Sequence, residues 1–168
     1  MKTGVRNPEF GFRPAFQSRA LHQPRELRLK NYKELEVWRK AKDFAVEMYR
    51  VTESFPRTEQ FGLTSPIRRA ATSIAANIAE GWGRGTTKEY IHFLLIARGS
   101  SMELETHLII AADLGYLNEK QWDEIQSRIQ GIAQMLNRLV QALKRRALLG
   151  SGKISRPEPR IPNSESRF

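Results

Sequence analysis

The chain has 168 residues, enough for one domain with a hydrophobic core and short for two. It contains no cysteine, which excludes disulfides, zinc–thiolate sites and cysteine nucleophiles. Its net charge of +10 is unevenly divided: residues 1–30 and residues 144–168 each carry seven Lys/Arg against two Glu, whereas residues 31–143 balance 14 basic with 14 acidic side chains.

No apolar run approaches the roughly 18 residues of a transmembrane helix, and the opening MKTGVRNPEF lacks the apolar stretch of a secretory signal. A soluble, cytoplasmic protein without a membrane role is therefore expected. Residues 1–31, with Pro8, Pro14 and Pro24 among arginines and scattered phenylalanines, have no sustained period and read as a flexible basic arm. Residues 148–168, with three prolines among polar residues, read as a disordered basic tail.

Between them, over 32–147, apolar residues recur at helical spacing in four stretches. Asn31, with Glu34 three positions on, predicts the start of the first. There Val37, Trp38, Ala41, Phe44, Ala45, Met48 and Phe55 share a face that ends before Pro56. In the second, Leu63, Ile67, Ala70, Ala71, Ile74 and Ile78 form the stripe, which ends at the glycines of "GWGRG". The third opens with Thr86 and Glu89 at capping-box spacing and runs through Tyr90, Phe93, Leu94, Ala97, Leu104, Leu108 and Ala111 to Gly115, a natural C-terminal cap. The fourth, capped by Asn118 with Gln121, buries Ile125, Ile129, Ile132, Leu136, Leu139 and Leu143. Lys144, Arg145 and Arg146 close its last turn, where positive charge suits the helix dipole. No stretch alternates like a strand and the connections are short, so an all-α, antiparallel up-down four-helix bundle is expected.

The third helix carries a second apolar stripe, Ile91, Leu95, Met102 and Ile109, roughly 120–160° around from Ala97. Either it meets another subunit, making the protein a homo-oligomer, or a neighbouring helix wraps far enough to cover it.

The stretch SIAANIAEGWGRGTTKEY sets Asn77 and Glu80 on one flank of the second helix, with Arg69 and Ser73. Neither a base nor a nucleophile accompanies them. Asn77 is expected to hydrogen-bond across to another helix, and Glu80 to be solvated or paired with an arginine. The glycines follow a helix rather than a strand and lack both the P-loop and dinucleotide spacings, so they read as a hinge. Arg84 and Lys88 flank the following helix start, where a nucleic-acid phosphate could sit. Arg68 and Arg69 read as a basic contact point or a solvated face. His22, His92 and His107 do not assemble, and Glu103–His107 reads as an ordinary i,i+4 surface pair. The predicted core faces carry no carboxylate or histidine, so no metal, no cofactor and no catalytic residue is expected.

The segments YKELEVWRKA, FPRTEQFGLTSPIRRAATSIAANIAEGWGR, KEYIHFLLIARGSSMELETHLIIAADLGYL and MLNRLVQAL resemble, in order, the 23S rRNA intervening-sequence proteins of bacteria over residues 32 to about 143. The resemblance implies a four-helix bundle, association into ring-like pentamers and no catalytic activity. Through distant relatives that serve diversity-generating retroelements, it implies nucleic acid and a reverse transcriptase as partners. Two departures stand out: Ala75 follows the Ser-Ile pair where the family often has proline, and the first 30 residues are extra. These residues are either a basic appendage or the product of a start placed too far upstream.

Two functions compete on this reading. One is an oligomeric adaptor binding RNA or an RNA-bound protein, with Arg68, Arg69, Arg84, Lys88, Lys144, Arg145 and Arg146 as candidate contacts. The other is a protein–protein scaffold whose basic ends only aid solubility.

Overall fold

The computed structural model describes residues 30–150; the arm over 1–29 and the tail over 151–168, to which the sequence assigns flexibility, lie outside the described residues. Four α-helices follow in chain order: α1 (Glu36–Val51), α2 (Thr64–Gly83), α3 (Thr87–Asp113) and α4 (Glu119–Leu148), with no strand among the described residues.

Local chemistry sets most of the helix ends. Asn31 caps a 3-10 turn, Tyr32–Glu34, by accepting from the Lys33 N–H, and α1 begins only beyond Leu35. α1 ends at Val51, so Phe55 is not part of its face. A second 3-10 turn, Thr52–Ser54, carries Phe55 into the core, against the Tyr116 ring at 5.4 Å. α3 starts where the Thr86 hydroxyl accepts from the Glu89 N–H, and α4 where Asn118 and Gln121 form a full capping box. α3 closes in a Schellman motif. Gly115 takes φ +75, its N–H donates to the Ala112 carbonyl, and the Tyr116 N–H donates to the Ala111 carbonyl.

The stop expected at the glycines falls within them. α2 runs through Gly81 to Gly83, and only Gly85, at φ +82, serves the turn before α3. A left-handed residue is what reverses the chain within Arg84, Gly85 and Thr86.

The helices touch in the cyclic order α1, α2, α3, α4 and back to α1, with the most extensive contact between α2 and α3. Specific contacts give each neighbouring pair its direction. Along α2 and α3, Arg69 pairs with Glu103, Ser73 bonds Ser100, and Trp82 packs edge-on to Tyr90, so numbering rises on one helix as it falls on the other. Arg98 reaches Asn137 of α4, while Thr87 and Ile91 face Ala147 and Leu148. Arg68 reaches back to the end of α1 at Tyr49 and Thr52, and Ala75 faces Ala45 and Val46. Each of these three pairs therefore runs antiparallel.

The core is a column of aliphatic side chains. Met48, Ile67, Ile74, Ile78, Leu94, Leu104, Leu108 and Leu136 are inaccessible to solvent. Three expectations shift in detail. Trp38 and Phe93 are only half-buried. On α4, Val140 is buried and Leu139 and Leu143 are half-buried, because successive i+4 steps from Ile132 through Leu136 rotate the buried line by about 40° each. α4 also runs one residue beyond the expected boundary at 147.

Candidate nucleic-acid interface

The antiparallel contacts decide which charged residues lie together. The short α2–α3 turn puts Arg84 close to Lys88, and α4 returns so that Lys144 lines one groove with Thr87, Lys88 and Ile91. Arg145 and Arg146 follow in the last turn of α4. α1 starts at the same end, where the Tyr32–Glu34 turn touches α2 and brings Lys30 and Lys33. This end is a basic pole, and the described chain both enters it, at Lys30, and leaves it, at Gly150. The opposite pole carries Asp113, Glu119, Asp123 and Glu124. Arg50, Arg57, Arg68, Arg69 and Lys120 lie at that pole too, so its charges are mixed, whereas cations predominate at the first.

Acidic residues also occur at the basic pole, but local contacts occupy them. Glu34 accepts from the Lys30 N–H at 2.9 Å, Glu36 pairs with Lys40 at 2.9 Å, Glu80 pairs with Arg84, and Glu89 accepts from the Thr86 hydroxyl at 3.1 Å. The Lys40 ammonium holds the Glu36 carboxyl below the usual carboxylate range. Arg84, besides its pair with Glu80, stacks over Phe93 at 5.0 Å. Lys88, Lys144 and Arg145 are exposed and make no ion pair among the described residues.

Arg68 and Arg69 do not join this group. They lie one turn into α2 from its far end, roughly 24 Å along the helix from Arg84 at 1.5 Å per residue. Arg68 straps α1 to α2: Nε donates to the Thr52 hydroxyl at 2.8 Å, Nη2 donates to the Tyr49 carbonyl at 3.1 Å, and the guanidinium lies over the Tyr49 ring at 4.8 Å. Arg69 sits 3.7 Å from Glu103.

Asn77 acts one step removed from its expected role. Its amide donates to the Ser73 carbonyl and hydroxyl at 2.8 and 3.0 Å, and it is Ser73 that crosses to Ser100 on α3, at 2.9 Å. Glu80 takes Arg84, one of its two expected fates. His107 Nε2 is 3.8 Å from Glu103 Oε1, His92 meets Phe93 edge-on, and His22 lies outside the described residues. Among the described residues no three His, Asp or Glu side chains gather as a metal would require.

Of the second stripe on α3, Met102 and Ile109 are exposed at 59% and 42%, while Ile91 and Leu95 are half-buried against the core. Sequence reading missed Lys30 and Lys33 as members of the pole. Their signal is weak, because only the return of α2 and α4 shows that the start of α1 lies beside the ends of both.

Among the described residues no helix is long and apolar enough to cross a membrane. No curated protein matches the chain. A crystal structure from Bacteroides thetaiotaomicron, of a protein with unknown function from the S23 ribosomal protein family, superimposes with a TM-score of 0.59 at 25% identity. It covers 62% of this chain and 95% of its own. The family model of the 23S rRNA-intervening sequence proteins matches residues 33–138. The quoted segments, the four helices and this match agree: the chain belongs to the 23S rRNA-intervening sequence protein family.

Proposed function

We propose that the protein is a non-enzymatic, self-associating adaptor that holds RNA by its phosphate backbone at the basic pole and presents it to an RNA-associated protein, such as a reverse transcriptase. The observation that carries this reading is the convergence of Arg84, Lys88, Lys144, Arg145 and Arg146 on the pole where the described chain begins and ends. The two basic terminal segments of the sequence are therefore tethered to the pole that is already basic. Phosphate affinity grows with the number of cations engaged, and such contacts position RNA without reading its bases.

Self-association is supported by Met102 and Ile109, apolar side chains that a lone subunit leaves in water. The family resemblance implies five subunits. Five copies of a +10 chain would carry roughly +50 on one particle, so weak contacts would add by multivalency.

The test is binding of a labelled oligouridine to the full chain across a salt series of about 50 to 200 mM. Replacing Lys88, Lys144 and Arg145 with glutamine should weaken binding and flatten the salt slope by about 0.7 for each single-strand phosphate that is no longer neutralised. If the full chain fails to bind RNA at low salt, the scaffold reading replaces this one.

A further inference from the structure

The space between the start of α3 and the end of α4 is a groove of about 440 Å³ lined by Thr87, Lys88, Ile91, Lys144, Ala147 and Leu148. Ile91, Ala147 and Leu148 make up its aliphatic part, the floor, and Lys88 and Lys144 its cationic part, the rim. Leu148, 86% exposed, and its neighbour Leu149, 83% exposed, extend the apolar surface beyond it.

We propose that this groove docks an acidic amphipathic segment of a protein partner, with aliphatic side chains on the floor and carboxylates on Lys88 and Lys144. The chemistry of the lining selects that occupant. Sequence-tolerant binding of single strands relies on bases stacked on aromatic rings or guanidinium planes, and none of the six lining side chains is aromatic or arginine. RNA phosphate can meet the rim but has nothing to place on the floor. A neutral apolar helix would fill the floor but make no use of the two exposed ammonium groups, whereas carboxylates placed beside them add complementary charge. The chain's own residues 151–168 carry Lys153, Arg156, Arg160 and Arg167 against Glu158 and Glu165, the wrong sign for this rim. An amphipathic helix with carboxylates beside its apolar stripe satisfies both parts, in the manner of helix-in-groove recognition.

This goes beyond RNA binding and does not depend on it. The two ligands share Lys88 and Lys144, so they compete for the pole.

The probe is a fluorescein-labelled helical peptide with leucine at every third or fourth position and glutamate between, compared with the same peptide carrying serine for leucine. Both are titrated into the full chain by anisotropy, with oligouridine and phosphatidylserine vesicles as parallel ligands. The leucine peptide should bind at least about tenfold more tightly than its serine counterpart, since burying even one leucine side chain is worth about that factor. Ala147→Trp, at an exposed position, fills the groove without changing charge. It should abolish that preference without weakening oligouridine binding, because an added ring offers bases a stacking surface. Leu148→Ser should reduce the preference, and circular dichroism checks that both variants stay folded. Lys88→Gln with Lys144→Gln should weaken binding of the leucine peptide in a salt-dependent way. Equal binding of the two peptides, an undiminished preference in Ala147→Trp, or capture of oligouridine or vesicles with no capture of the leucine peptide would each overturn the proposal. Loss of oligouridine binding with the peptide preference intact counts against the RNA reading alone.

Discussion

A Cβ placed on Gly81 of α2 would lie 2.6 Å from the Cβ of Phe93 on α3, and 3.0 Å from the Tyr90 ring. The two helices approach closely here because position 81 has no side chain. The obstructing atom is the root of the Phe93 side chain, so a rotamer change cannot relieve the clash.

Gly81→Ala should therefore destabilise the protein. Overpacking of about 1–3 kcal/mol is offset in part by up to about 1 kcal/mol of helix propensity. Gly99, within α3, has open space where a methyl group would lie, with no neighbouring atom within 4 Å, and Gly99→Ala should stabilise by about 0.5–1 kcal/mol. Urea denaturation of the two variants checks the opposite signs; equal shifts would refute the close-contact account.

Tyr90 is buried, and its hydroxyl has no hydrogen-bond partner among the described residues. Burial pushes its pKa well above the ordinary tyrosine value. Tyr90→Phe removes an unsatisfied polar atom and should be neutral to about 1 kcal/mol stabilising at neutral pH. The folded protein keeps this proton to higher pH than the unfolded chain, whose tyrosines titrate near 10. Above about pH 10 the unfolded state thus binds fewer protons and stability falls as pH rises. Denaturation of both proteins at neutral and alkaline pH should show Tyr90→Phe losing less stability on the alkaline side.

Arg68 and Lys88 are both basic residues of the helices that meet at the GWGRG turn, and substitution should separate their roles. Arg68→Ala deletes two hydrogen bonds and a ring contact and should cost about 1–2 kcal/mol of stability, with oligouridine affinity unchanged. Lys88→Ala should do the reverse. Thermal denaturation and RNA titration of the pair decide it, and an RNA defect in a folded Arg68→Ala protein would extend the interface to the other pole.

Met102→Asp and Ile109→Asp put charge on the exposed stripe of α3 and leave the core untouched. Either should shift the protein to smaller species in sedimentation velocity with little change in helicity, because a charge buried at an apolar interface is disfavoured by several kcal/mol. An unchanged sedimentation coefficient in both variants would remove this stripe from the interface.

Much of the architecture was legible in the sequence because its causes are local. A helical period of apolar residues defined the four helices, and the caps at Thr86, Asn118 and Gly115 acted over three or four residues, within reach of a sequence window. The same window misjudged Phe55, because a single 3-10 turn breaks the period and still delivers the ring to the core. It placed the end of α2 at the glycines but not at one of them: Gly81 and Gly83 stay helical, Gly81 against Phe93, and only Gly85 takes the positive φ of the turn.

The sequence by itself determined the helices, their buried faces and the placement of excess charge at the two chain ends. Only the tertiary structure decided which cations act together. Lys88 and Lys144 are distant in sequence and become neighbours because α3 and α4 run antiparallel. Arg68, much nearer to Lys88 in sequence, is carried to the other end of α2 and tied to α1. The physical reason is that each helix is a rigid rod rising about 1.5 Å per residue, so the packing of rods, and not separation along the chain, sets which side chains share a pole.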